Sequence, residues 1–208
     1  FPLNPLPVDV EKYYNEGFKE VHEDLVERLK VSKKGIVMLH GVAGSGKTSY
    51  IKYLTSLVPN KKFVFIPSTM IGPLSDPAFI ANLIDNKNSV LILEDCEIYI
   101  QDRKMNTGNN NFVSSLLNIS DGILSDVMSI QVICTFNNDL KNIDEALLRD
   151  GRLLCEYKFD RLSVGRSDNL INELGSSLEQ GKEYTLAQIY LAQCCSVTRF
   201  FAVSGTKV

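Results

Sequence analysis

Eight consecutive residues, Gly41-Val42-Ala43-Gly44-Ser45-Gly46-Lys47-Thr48, have the types and spacing that hold phosphate, G-x-x-x-x-G-K-[ST]. Gly41, Gly44 and Gly46 permit backbone conformations closed to residues with side chains, so that successive N–H groups converge on phosphate oxygens. A helix opening just after the loop adds the positive end of its dipole. Lys47 is placed to neutralise the β- and γ-phosphates, Thr48 to ligate Mg²⁺ through its hydroxyl, and Ser49, which opens the following helix, counts with the loop as nucleotide-binding. The chemistry this predicts is binding of a nucleoside triphosphate, read as ATP, with Mg²⁺ as cofactor.

A second constellation lies some 45 residues further on. Val90-Leu91-Ile92-Leu93 is an apolar run with strand character, and it ends in Glu94-Asp95. Carboxylates at the end of a buried strand are costly unless a cation or hydrogen-bond donors stand near them. Successive strand residues face opposite ways, so one acid can serve Mg²⁺ and the other can orient an attacking water. The residues alone leave open which does which. The pair turns phosphate binding into expected hydrolysis.

A third lies after the apolar run Ile130 to Thr135. Asn137 and Asn138 both stand where an amide can help place a water beside the γ-phosphate; the strand pattern favours Asn137, while counting back from Asp144 admits Asn138. Arg149 and Arg152 then flank Gly151. Guanidinium groups suit bidentate phosphate contact and stabilise transition-state charge. They follow the fourth strand whereas the loop follows the first, so a neighbouring subunit's nucleotide is the easier target.

The elements that must position these residues alternate. Ile36–Leu39, Phe63–Ile66, Val90–Leu93, Ile130–Thr135 and Cys155–Phe159 read as strands; helical patterns cover 17–29, 49–57, 77–85, 112–119 and, as one turn, 145–148. Uninterrupted apolar strands between helices predict an α/β fold: a five-stranded parallel sheet with helices on both faces and ligands at the carboxyl ends of the strands. Residues 1–16, with Pro2, Pro5 and Pro7 ahead of a Tyr13-Tyr14 pair that could reach an adenine, form a lead-in. Residues 17–160 form the core. Residues 161–208, with helical patterns at 167–174 and 185–195, form a small helical lid.

Composition excludes several classes. With 208 residues and 44% hydrophobic content the chain can bury a core without metal or disulfide staples. A net charge of −3 argues against nucleic acid as partner. The five cysteines form no C-x-x-C pair, and their odd number suits a reducing, cytoplasmic setting. No apolar stretch has membrane-spanning length. The chain starts at Phe1 rather than Met, which is the pattern of a fragment or a processed product.

Taken together, these residues resemble the AAA ATPases across about Gly35 to Phe159. Asp144-Glu145-Ala146-Leu147-Leu148-Arg149-Asp150-Gly151-Arg152 is similar to that family's second region of homology, with its paired arginine fingers. Leu74-Ser75-Asp76, Leu93-Glu94-Asp95 with its Glu-before-Asp order, and Ser115 to Gly122 resemble the subgroup containing the mitochondrial chaperone that inserts the Rieske iron–sulfur protein. The resemblance implies that Glu94 is on the Mg²⁺ side and Asp95 is the base. It also implies a homo-oligomeric ring of six or seven subunits, with ATP and ADP at the subunit interfaces and work done on a protein substrate. Met70-Ile71-Gly72 stands where the family's substrate-gripping loop has an aromatic, and the subgroup's membrane anchor has no match in these 208 residues. The alternative function, motivated by the reversed acids and Met70, is a nucleotide-gated switch or scaffold with little hydrolysis.

Overall fold

The structure is a computed structural model, and it describes residues 7–68, 76–100, 110–120, 123–137, 143–149 and 151–193. Five strands make one sheet: β1 (Gly35–Gly41), β2 (Lys62–Ile66), β3 (Ser89–Leu93), β4 (Gln131–Phe136) and β5 (Leu153–Phe159), in the order β2-β3-β4-β1-β5. Every pairing is parallel. All carboxyl ends therefore lie along one edge, and the loop after β1 falls beside the ends of β3 and β4.

The alternation of side chains across each strand builds two cores. Ile36 and Met38 of β1, Leu91 and Leu93 of β3, and Val132, Cys134 and Phe136 of β4 share one face with Leu83, Phe112 and Leu116. Val37, Leu39, Val90, Ile92 and Ile133 share the other with Phe18, Leu25, Leu29, Tyr50, Ile51 and Leu54. The first face is covered by α4 (Pro77–Asp85), α6 (Asn110–Ser120) and α7 (Ile123–Met128). The second is covered by α2 (Phe18–Val31) and α3 (Lys47–Leu57). Residues buried on both faces explain why β1, β3 and β4 read as unbroken apolar runs.

Several boundaries differ from the sequence expectation, each for a local reason. Helix α3 begins at Lys47 because Gly46 precedes it in a left-handed conformation (φ 96°). Strand β5 begins at Leu153 rather than 155; it is an edge strand with a half-exposed, interrupted pattern, which a search for continuous apolar runs cuts short. The turn after β4 is a 3-10 turn, Glu145–Leu147, capped by the Asp144 carboxylate on the Ala146 N–H at 2.9 Å. Short helices α1 (Val10–Tyr13), α5 (Glu97–Ile100) and α7 carry too few residues for a periodic signal. Helix α4 opens as its sequence suggests, with Asp76 accepting the Ala78 N–H at 2.8 Å and Pro77 in the first turn.

An aromatic cluster ties the N-terminal segment to the phosphate loop. Phe18 packs against Tyr14, Tyr157, Tyr50 and Phe159 with ring centroids 4.5, 4.6, 4.9 and 5.2 Å away. The Tyr14 hydroxyl donates to the Gly46 carbonyl at 3.2 Å. C-terminal to β5, helix α8 (Val164–Leu174) and a further helix, α9 (186–193), gather around Leu162, Leu170, Ile171 and Ile189. The Ala187 N–H of α9 donates to the Gly44 carbonyl at 3.0 Å, so this unit also touches the loop.

Replacing the fully buried Phe18 by alanine removes the centre of the aromatic cluster and should cost about 3–5 kcal/mol of stability, read by urea denaturation. Gly41→Ala should also destabilise, by about 1–3 kcal/mol or more, because a Cβ there would sit 2.1 Å from the Phe159 carbonyl oxygen at φ 116°. A wild-type unfolding midpoint for either variant would contradict the packing described.

Candidate functional site

The phosphate loop is held from below by β5: the Val42 N–H donates to the Phe159 carbonyl at 2.9 Å, at the point where Gly41 comes too close to that strand for any side chain. Ser45 Oγ donates back to the Val42 carbonyl at 2.7 Å and closes the loop. The Lys47 ammonium donates to the Gly41 and Val42 carbonyls at 2.9 and 3.0 Å, and its residue is only 7% exposed. Burial lowers the Lys47 pKa, while the negative charges of Asp95 and Glu97 oppose that shift. An arriving phosphate would act in the same direction as those acids and favour the charged form.

Just past the end of β3 the two acids take different partners. Thr48 Oγ1 donates to Glu94 Oε1 at 2.8 Å, which brings together the two oxygens expected near the metal. Asp95 takes a left-handed conformation (φ 53°), which aspartate tolerates better than most residues. Its N–H donates to Thr135 Oγ1 at 3.3 Å, and its Oδ1 accepts the Asn137 side-chain amide at 3.2 Å. Asn137 is thus the described asparagine that meets the acids; Asn138 lies outside the described residues. Thr135, buried at the end of β4, and Glu97, which accepts the Asn137 backbone N–H at 2.7 Å, were not singled out from sequence. Glu97 had a signal of a kind, as a third acid in Glu94-Asp95-Cys96-Glu97.

The donor set at Thr48 and Glu94 fits Mg²⁺. Both are hard oxygen donors, and Mg²⁺ binds through one or two protein oxygens while phosphates and waters complete its shell. Among the described residues no group of three or more His, Cys, Asp or Glu side chains could hold a metal, so an all-protein cage is not what is offered.

A cleft of about 750 Å³ lies beside these groups. Ala43, Gly44, Gly46, Lys47, Thr48 and Ser49 line its phosphate end, with Asp95, Thr135 and Asn137 across from them. Val8, Tyr13 and Tyr14 of the N-terminal segment and Leu186, Ala187 and Tyr190 of α9 line its apolar end. The Tyr13 and Tyr190 rings stand 6.4 Å apart. Apolar walls at one end and the glycine-rich loop with Lys47 and Asp95 at the other suit an aromatic base joined to a polyphosphate.

The arginines are elsewhere. The Arg152 carbonyl accepts the Ile36 N–H at 2.8 Å, at the start of β1, whereas the loop leaves the far end of that seven-residue strand. At roughly 3.3 Å per residue the separation is about 20 Å, beyond the reach of either side chain. Arg149 is exposed. Arg152 is half-buried, and its Nη1 donates to the Ala146 carbonyl at 2.9 Å. Met70-Ile71-Gly72, Leu74-Ser75, Asp121-Gly122 and Asp150 lie outside the described residues. No described helix is long and apolar enough to cross a membrane.

Comparison with known proteins covers the sheet and the loop. The family model described as "ATPase family associated with various cellular activities (AAA)" matches residues 37–161. An AAA-ATPase of Arabidopsis thaliana is 30% identical over 157 residues, covering 64% of this chain. The matched region spans about a third (34%) of that relative's length. With the family model covering β1 through β5, the phosphate loop and the acid pair, the chain belongs to the AAA family of ATPases.

Proposed function

We propose that this chain binds ATP with Mg²⁺ in the 750 Å³ cleft and hydrolyses it, as one subunit of a homo-oligomeric ring that remodels a protein partner. The observation that carries the reading is the convergence, at the carboxyl ends of β1, β3 and β4, of three paired groups. These are Lys47 on its own loop, Thr48 with Glu94 at 2.8 Å, and Asn137 with Asp95 at 3.2 Å. In this reading Lys47 and the loop from Gly41 to Ser49 hold the phosphates, through N–H groups other than that of Val42, which is bonded to β5. Thr48 and Glu94 would hold Mg²⁺, which would neutralise phosphate charge when bound. Asp95 accepts a proton from the attacking water, and Asn137 keeps that carboxylate aimed at it. Tyr13, Tyr14 and the α9 wall exclude water from the base, and residues 161–208 act as the lid.

Arg149 and Arg152 complete the site of the adjoining subunit. Their distance of about 20 Å from the loop of their own chain supports action in trans, and the exposed Arg149 is the stronger of the two. The subgroup of the Rieske-protein-inserting chaperone offers a model for the ring. The sequence likeness of Leu74-Ser75-Asp76 and the Glu94-Asp95 order support that reading.

Turnover per subunit should rise with protein concentration, and Arg149→Ala should lower kcat by about 10³-fold or more with ATP affinity retained. Lys47→Ala should instead abolish nucleotide binding, measured by fluorescence of a labelled ATP. Concentration-independent turnover that is unchanged in both Arg149→Ala and Arg152→Ala would contradict completion in trans.

A further inference from the structure

The β3–β4 ladder ends at Leu93 opposite Cys134, yet the two chains stay joined beyond it. The Asp95 N–H reaches Thr135 Oγ1 at 3.3 Å, and the Cys96 N–H reaches the Thr135 carbonyl at 3.0 Å. The last link is Glu97, whose Oε1 accepts the backbone N–H of Asn137 at 2.7 Å. These three bonds continue the zipper past the end of the sheet and finish on the asparagine that touches Asp95. Glu97 is half-buried and opens α5, so its backbone has little freedom to follow a moving loop. An ionised acceptor at this distance makes a strong, short hydrogen bond.

We propose that Glu97 is a positioning residue: its carboxylate fixes the peptide between Phe136 and Asn137, and so aims the Asn137 amide at Asp95. Without it the Asn137 N–H turns to water, since residue 137 is exposed and no longer belongs to the ladder. The peptide then rotates freely, and the 3.2 Å contact with Asp95 is lost for much of the time. Glu97 touches neither nucleotide nor water in this scheme. The inference rests on the reading of Asp95 and Asn137 as hydrolytic groups.

Steady-state kinetics of Glu97→Ala and Glu97→Gln in the full chain, with Mg·ATP, test it. Glu97→Ala should lower kcat at least about tenfold while KM for ATP stays within about threefold, because one charge-assisted bond is lost away from the phosphates. Glu97→Gln should recover most of the loss, since its amide oxygen still accepts the N–H. Unchanged kcat in Glu97→Ala overturns the proposal. So does Glu97→Gln as inactive as Glu97→Ala, which would assign Glu97 a role by charge. Hydrogen exchange of the Asn137 amide is the second readout, with protection expected in wild type and Glu97→Gln and loss in Glu97→Ala. Should wild type bind ATP and release no phosphate, the hydrolytic reading fails by itself. Equal exchange in all three proteins would then overturn the Glu97 contact separately.

Discussion

The placement of one cation governs this structure. Lys47 carries its ammonium into a site where it is 7% exposed, and only two carbonyls of its own loop hold it there. A buried charge is tolerable only when paired or hydrogen-bonded. The loop must therefore curl tightly enough for Gly41 and Val42 to present their oxygens inward. That curl in turn needs Gly41 against β5 and Gly46 at a positive φ. The fixed hand of the strand–helix turn puts the start of α3 beside β3 and β4. The same arrangement that solvates the lysine leaves it, with Gly44, Gly46 and Thr48, on the wall of the cleft.

The acids at the end of β3 complete that electrostatic balance. Asp95 and Glu97 both favour the charged form of Lys47, while burial opposes it. The cleft is thus neither wholly positive nor wholly negative, and polyphosphate with a divalent cation is the ligand whose charges match both halves. Asp95 holds a left-handed backbone that is uncommon outside glycine, stabilised by the Thr135 hydroxyl on its N–H. Backbone strain of this kind persists where surrounding bonds over-determine it, and it gathers at functional sites.

Much of this was legible in the residues. The loop could be read because its chemistry demands glycine and lysine at fixed offsets, and the sheet because β1, β3 and β4 are apolar on both faces. The strand pattern favours Asn137, and its contact with Asp95 follows from β4 ending at Phe136. Thr135 and Glu97 were not visible as site residues, since a threonine ending a strand and one more acid in an acidic run look ordinary until the β3 and β4 ends are side by side. The wall made by Leu186, Ala187 and Tyr190 was equally hidden: it comes from a helix about 140 residues beyond the loop, brought back by the small cluster around Leu170 and Ile189. The start of β5 was missed because an exposed edge strand does not need a continuous apolar pattern.

The central claim is that the cleft breaks the bond to the γ-phosphate rather than merely holding it. The most direct test compares bound ATP with released phosphate for wild type and Asp95→Asn at saturating Mg·ATP. The account predicts equal nucleotide binding with phosphate release reduced by about 10²-fold or more in the variant. Equal phosphate release by both proteins, or loss of ATP binding in Asp95→Asn, would contradict it.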